Sequence, residues 1–564
     1  MRMPNAKIKR LPSESWILNV LKFLRRPVHN SRYALDYMTF KLKYGHILSG
    51  EPRGSVTSKT LLLVSMHGFI PCVKIEAVLA KGLQANGFDP IILVNRGGWA
   101  VRYWRLCGFR NFLYWEDWVD QMAPVWSPEE MPPLTEMTFR NVLELEFHGV
   151  DIGRHVLSLI SRTLYRGRID LRSPEVRSLL EEVTPYSYKS VGAAEALLDK
   201  VRPDVVLFAE RGYTPYGEVS DVALKRGINV IQWDIASRDD AISFKRYTYD
   251  TRRAHPYSLS PESWTSIKKM EWTEELDRWL SREMEESYAT GKWFNYQRLQ
   301  HGKKVKSRED VLRELRLDFN KRTAVIFPPV LWDASFSWGE GLYDDYEEWF
   351  VETIRAACAN PALNWIIKLH PVNVWRLEAD GYKAQLPEIG VIRDGVGTLP
   401  EHVKMVYPDT PINTFSFFST ADYAVTVRGT IGLEMACFGV PVVTAGTGHY
   451  SGLGFTVDPS DRKDYLTTLA QIQDLPGLTR EQREFAKKYL YAFIKLRPVQ
   501  FRTYKPVFSD RKNVFHPLNG SIELSIKSGS ELEEAEDLRS FAEWVARRDT
   551  LDFMMPSASA YYET

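Results

Sequence analysis

The sequence predicts an α/β protein of two Rossmann-like, doubly wound domains facing each other across a cleft. Three observations lead to it. A chain of 564 residues exceeds what one hydrophobic core sustains, about 250–300 residues. Short apolar, β-branched runs alternate with helical patterns in each half, as strand–helix–strand units around a parallel sheet do. Between the halves lies a charged stretch with helical periodicity and no strand signal.

Residues 1–55 form a basic amphipathic extension. Up to residue 48 it carries ten Lys or Arg against two acids, Glu14 and Asp36. Trp16, Ile17, Val20, Leu21, Phe23 and Leu24 recur at helical spacing beside Lys22, Arg25 and Arg26. Such a helix either lies on an anionic membrane face or packs on the body with its basic side solvated. The first doubly wound domain spans 56–257, with strands at 61–66, 91–95, 204–209 and 229–233 and helices at 74–83 and 218–225. An insertion rich in Trp, Pro and Glu occupies about 100–190. A helical linker, 258–320, leads to the second domain, 321–475. Its strands fall at 323–327, 365–369, 404–407, 422–427 and 441–444, its helices at 343–359, 430–438 and 463–473. From 476 to 564 come C-terminal helices and a mixed tail with a polar, Ser-rich end; Thr479 and Gln482 form a capping-box pattern that opens a helix reaching about 494.

Composition excludes several classes. A net charge of +1 gives no broad field for nucleic acid. Cys72, Cys107, Cys358 and Cys437 are scattered, without the CxxC pairing of a zinc site, and fit a reducing cytoplasm. No signal peptide and no run of about 18 apolar residues occurs. The expected place is cytoplasmic, with the inner membrane face the surface a basic extension would touch. Trp and Tyr are plentiful and suit sugar C–H faces, although core packing accounts for most such rings.

In a doubly wound sheet, ligands bind beyond the carboxyl ends of the strands, so residues just after strands carry the chemistry. The strongest such segment is Val425-Thr-Val-Arg-Gly-Thr-Ile-Gly-Leu-Glu-Met-Ala-Cys-Phe-Gly-Val-Pro-Val-Val-Thr444. Here a strand runs into small residues and then a helix. Arg428, Gly429, Thr430 and Gly432 place amides and a hydroxyl at a helix N-terminus, where an anion is favoured. Glu434, one turn on, is placed to accept from ribose hydroxyls. The competing interpretation is a packing turn with an ordinary first-turn acid. Lys368-Leu-His-Pro371 ends another strand; His370, held by the proline, can donate to a phosphate oxygen, and Lys368 adds charge.

Four segments then occur in order within about 90 residues: IIKLHP, Asp409-Thr-Pro-Ile-Asn-Thr-Phe-Ser416, ADYAVTVRGTIGLEMACFGVPVV, and Gly446-Thr-Gly-His-Tyr-Ser-Gly-Leu-Gly-Phe-Thr456. This succession, over roughly 320–475, resembles the C-terminal lobe of the bacterial capsule polysaccharide synthesis glycosyltransferases of GT-B fold. They include 3-deoxy-octulosonic acid transferases and share the His-Pro element with bacterial sialyltransferases. A weaker resemblance covers Glu210-Arg-Gly-Tyr-Thr-Pro-Tyr-Gly-Glu-Val219 and 223–233, where many relatives carry His-Gly in place of Arg211-Gly212.

The resemblance implies a metal-independent glycosyltransferase with a nucleotide-sugar donor in the second domain and a glycan or lipid-linked glycan acceptor in the first. His370 would contact the donor phosphate, Thr430 and neighbouring amides would hold it, and Glu434 would hold the ribose. The His-Pro element leans towards a CMP-sugar. An inverting transfer also needs a base on the acceptor hydroxyl. Glu210, Asp234 and His67 follow three first-domain strands and are the candidates, Glu210 foremost. Asp239-Asp240 and Asp344-Asp345 read as loop or helix acids, so neither metal nor cofactor is expected. The loop from Phe327 to Trp338 either lines the cleft or joins the lobes. Rival functions are a nucleotide-sugar epimerase or polyol-phosphate transferase of the same fold, and a non-catalytic membrane-associated assembly protein. The last predicts that changes at Glu210, Asp234 and His67 leave polysaccharide output untouched.

Overall fold

The structure, a computed structural model, describes residues 16–51, 59–122, 137–290, 299–300, 302–333, 336–373, 386–508 and 518–554, with side chains from residue 30 onward. The first sheet contains β1 (Lys59–Val64), β2 (Phe88–Val94), β3 (Phe112–Tyr114), β4 (Val205–Phe208), β5 (Asn229–Ile235) and β6 (Ile242–Tyr247), in the order β3-β2-β1-β4-β5-β6. All pairings are parallel except β6 on β5. The second contains β7 (Thr323–Phe327), β8 (Asn364–Lys368), β9 (Val403–Val406), β10 (Tyr423–Thr426) and β11 (Val442–Thr444), all parallel, in the order β11-β10-β7-β8-β9. Both are doubly wound, and each reverses direction beside its first strand: between β1 and β4, and between β7 and β10. Those gaps are where such sheets take ligands.

The strands form where predicted because parallel sheets are covered on both faces and need unbroken apolar runs. Leu61 to Val64 and Ala324 to Ile326 have no exposure. The capping box at Thr479 is made in both directions: its hydroxyl accepts from the Gln482 amide at 3.2 Å, and the Gln482 side chain accepts from the Thr479 amide at 2.9 Å.

Two strands of the first sheet escape the sequence pattern. β3 lies in the stretch assigned to an insertion from about 100, so residues 112–114 are sheet; three half-buried residues are too few to show a period. β6 reads Ile-Ser-Phe-Lys-Arg-Tyr, and Lys245 and Arg246 make it look like a surface segment. Both are buried because the C-terminal segment satisfies them. Lys245 pairs with Asp552 at 3.3 Å, and Arg246 donates to the carbonyls of Trp544 (2.7 Å) and Thr550.

The tail therefore returns to the first domain. The helix Glu536–Arg547 buries Leu538, Phe541 and Trp544 in the same core as the helix Ile70–Ala85, and a Cβ at Gly82 would stand 2.9 Å from that of Leu538. The Ser-rich end lies outside the described residues. At the other terminus the helix Trp16–Leu48 buries Tyr33, Phe40 and Ile47 on the first domain, with Tyr33 stacked on Trp99 at 5.7 Å and Asp36 paired to Lys74 at 2.8 Å.

The loop after β7 joins the lobes. Arg154, from the helix Ile152–Leu164, donates to the carbonyls of Phe336 and Gly339 at 3.2 and 3.3 Å and pairs with Glu340 at 2.7 Å. Arg162 pairs with Asp333 at 2.9 Å, and the Ser337 hydroxyl donates to the Gly212 carbonyl at 2.6 Å. The carboxyl ends of β4 and β7 thus meet, and the two sheets face one cleft in the GT-B layout. Six tryptophans, Trp104, Trp115, Trp233, Trp332, Trp349 and Trp365, are fully buried; these rings pack cores. Among the described residues no helix is long and apolar enough to cross a membrane.

Candidate active site between the two domains

In the second domain, β10 delivers Val427 and Arg428 to the cleft and the chain turns at once into the helix Thr430–Cys437. Gly429 is its N-cap and no side chain caps it; the Gly432 amide donates to the Gly429 carbonyl at 3.0 Å, so the Thr430 and Ile431 amides remain donors for an anion. The same carbonyl also accepts from the Tyr450 hydroxyl at 2.6 Å. That hydroxyl lies so close that a Cβ at Gly432 would sit 2.2 Å from it, which explains the second glycine of the turn.

Arg428 is only 8 % exposed, yet its Nε and Nη1 have no hydrogen-bond partner. A buried guanidinium left so is costly, and its donors are those that grip phosphate oxygens. Around it are Tyr346, whose ring centre is 5.6 Å away, and Gly341, Gly446 and Gly448, whose missing side chains make room. Two histidines that sequence reasoning did not select, His255 half-buried and His449 buried, complete this wall. Burial and then the Arg428 charge push His255 down to about 3, and burial holds His449 well below its ordinary value. Both are neutral at pH 7. Their rings are 5.4 Å apart, His449 Nε2 lies 3.4 Å from the Thr430 hydroxyl, and His449 Nδ1 is buried without a partner. His449 stands inside the Gly446–Thr456 motif; nothing local marks His255.

The other donor-side candidates divide. His370 Nδ1 accepts from the Val372 amide at 3.3 Å, which leaves the ring proton on Nε2 and makes that atom a donor. Lys368 is buried, donates to the Leu369 carbonyl at 2.8 Å, and is pushed down to about 7 by burial and then by Lys303; it is turned into the strand end and brings little fixed charge. Glu434 is buried under Tyr288, whose hydroxyl it accepts, and burial pushes it up to about 7.

A raised carboxyl stabilises the fold while protonated, and that contribution is lost as pH rises through 7. Glu434→Gln is therefore expected to raise stability at pH 8 by about 1–3 kcal/mol and to change it little near pH 4, as thermal melts at the two values will read.

Across the cleft, carboxylates gather at the ends of β1, β4 and β5. Glu210 is half-buried; one carboxylate oxygen accepts the Arg211 and Gly212 amides at 2.7 and 2.8 Å, while burial raises its pKa. Asp234, also half-buried, is pushed up to about 7 by burial and then by the Glu210 charge. His67 is buried, its Nε2 3.1 Å from Glu76 and its Nδ1 without a partner. Glu76, fully buried, also accepts the Ser65 hydroxyl at 2.6 Å. It too went unselected, being a lone acid on an apolar helix.

Tyr257 joins the two sides: it hydrogen-bonds Asp234, and its ring centre lies 6.2 Å from that of His449. Arg211 is an anchor. It is buried, 3.6 Å from the Tyr247 ring centre, and donates to Ser220, Gln232 and the Arg252 carbonyl at 3.0–3.2 Å. In the two acid pairs, Asp345 caps the helix Tyr346–Ala359 and Asp240 pairs with Arg238. Among the described residues no group of three or more His, Cys, Asp or Glu is placed to hold a metal ion.

No protein-family model and no curated protein matches the chain. Among solved structures, KpsC of Thermosulfurimonas dismutans, a beta Kdo 2,4 transferase, is similar at 14% identity over 51% of this chain and 79% of its own, with a TM-score of 0.29. The UDP-GlcNAc 2-epimerase of Neisseria meningitidis, bound to UDP-GlcNAc, is similar at 13% over 76% and 95%, TM-score 0.26. Anabaena HepE in complex with UDP is similar at 12% over 78% and 96%, TM-score 0.27. Likeness this remote transfers no residue role or ligand to the present chain.

Proposed function

We propose that this chain transfers a sugar from a nucleotide-activated donor, a CMP-sugar in the first instance, to a growing capsule or other surface glycan, free or lipid-linked. The observation that carries it is the buried, unpartnered Arg428 guanidinium beside the uncapped N-terminus of the Thr430–Cys437 helix, at the switch point of the second sheet. The acceptor hydroxyl attacks the anomeric carbon and gives its proton to Asp234. The sugar–phosphate bond breaks, and the nucleotide phosphate leaves with the electron pair. Arg428, the helix amides, Thr430 and the His370 Nε2 proton stabilise the charge that develops on it. Glu434 binds the ribose, and Tyr288 holds its carboxyl in place. Asp234, with a pKa near 7, is matched to general-base work at neutral pH. Neither a metal nor a cofactor enters these steps.

A nucleotide-release assay across CMP-, UDP-, GDP- and dTDP-sugars, with a crude glycan acceptor, tests the proposal. Release from one donor class, lowered about tenfold or more in His370→Ala, is expected. Conversion of the sugar without nucleotide release would assign an epimerase instead, and inertness towards every donor would overturn the enzyme reading.

A further inference from the structure

The helix Trp16–Leu48 has two apolar faces, and the first domain covers one. Tyr33, Phe40 and Ile47, seven residues apart, are buried on that domain. On the opposite side Leu35 is 70 % exposed, Met38 48 % and Leu42 77 %. They account for three of the seven large hydrophobic side chains most exposed among the described residues. Spacings of three and four residues put them in one line along the helix.

A solvated helix has no use for such a line, and a large exposed apolar stripe marks an interaction surface. The charges beside it choose the occupant. Arg32, Lys41 and Lys43 are exposed. The helix has one acid, Asp36, and Lys74 of the body takes it at 2.8 Å. A second copy pairing along this line would set Arg32 and Lys41 against their counterparts with no acid at the flanking positions, which opposes a coiled coil. An anionic bilayer complements both features: the stripe enters the acyl boundary and the cations meet the headgroups.

We infer that the Leu35–Met38–Leu42 face of the N-terminal helix is a docking surface for an anionic lipid bilayer. It would hold the cleft beside a lipid-linked acceptor, and the inference stands on this face alone, whichever reaction the cleft performs. Sedimentation of the full chain with vesicles of phosphatidylglycerol and phosphatidylcholine in equal parts, against phosphatidylcholine alone, tests it. The chain is expected to partition onto the anionic vesicles and to be released by high salt. The triple variant Leu35→Gln, Met38→Gln, Leu42→Gln is expected to lose about tenfold or more of that partitioning while its melting temperature and nucleotide binding match the unaltered chain. Equal binding to both vesicle types, no binding, or full binding by the triple variant would overturn it. So would a dimer of the unaltered chain that the triple variant dissolves, which would give the face to a second copy. Nucleotide binding, measured on the same samples, reports on the cleft separately.

Discussion

Arg428→Met is expected to lower nucleotide affinity by about two orders of magnitude while the ligand-free protein melts no lower than the unaltered chain. The first half follows from the two guanidinium N–H groups that have no partner in the fold. A charge-assisted hydrogen bond contributes about 1.5–3 kcal/mol, so losing two removes roughly 3 kcal/mol or more, or at least a hundredfold in Kd. The second half follows from the same atoms. A buried, unpaired charge destabilises the empty protein, and an apolar side chain of similar length removes that cost. A residue kept for packing alone would behave oppositely, with a lower melting temperature and unchanged affinity. Calorimetric titration and a thermal melt on one pair of proteins read both halves.

Asp234→Asn is expected to lower kcat by about 10²–10⁴ with nucleotide affinity unchanged, because the amide cannot take the acceptor proton and does not touch the donor pocket. The pH profile adds a sharper test. Asp234 must be ionised to act, so kcat/KM should rise with pH through about 7. Part of that position is owed to Glu210, whose charge is the second cause of the shift after burial. Glu210→Gln removes the charge and should move the rising limb to lower pH without abolishing turnover. A limb that stays in place, or an active Asp234→Asn enzyme, would shift the base to His67, which Glu76 already orients through Nε2.

How much of this was legible beforehand divides along physical lines. β7 falls at its expected residues because Thr323 to Phe327 form a short apolar run buried on both faces, a pattern that few alternatives produce. β6 was illegible because Lys245 and Arg246 are neutralised by residues some 300 positions away, which no window along the chain can see. The same division holds in the cleft. Arg428 and Thr430 were legible because a strand, a small-residue turn and a helix announce themselves in order. His255 and Tyr257 were not: their weight comes from lying against Arg428, His449 and Asp234, contacts made only when the lobes close on each other. For Lys368 the place at a strand end was legible, whereas the bond its ammonium makes to the Leu369 carbonyl was not.

The most direct test is a crystal structure of the protein with a nucleoside monophosphate of the donor class it accepts. The phosphate should lie within hydrogen-bond reach of the Arg428 guanidinium and the first amides of the Thr430–Cys437 helix, with the ribose towards Glu434. A nucleotide bound elsewhere, with Arg428 still unpartnered, would contradict the account.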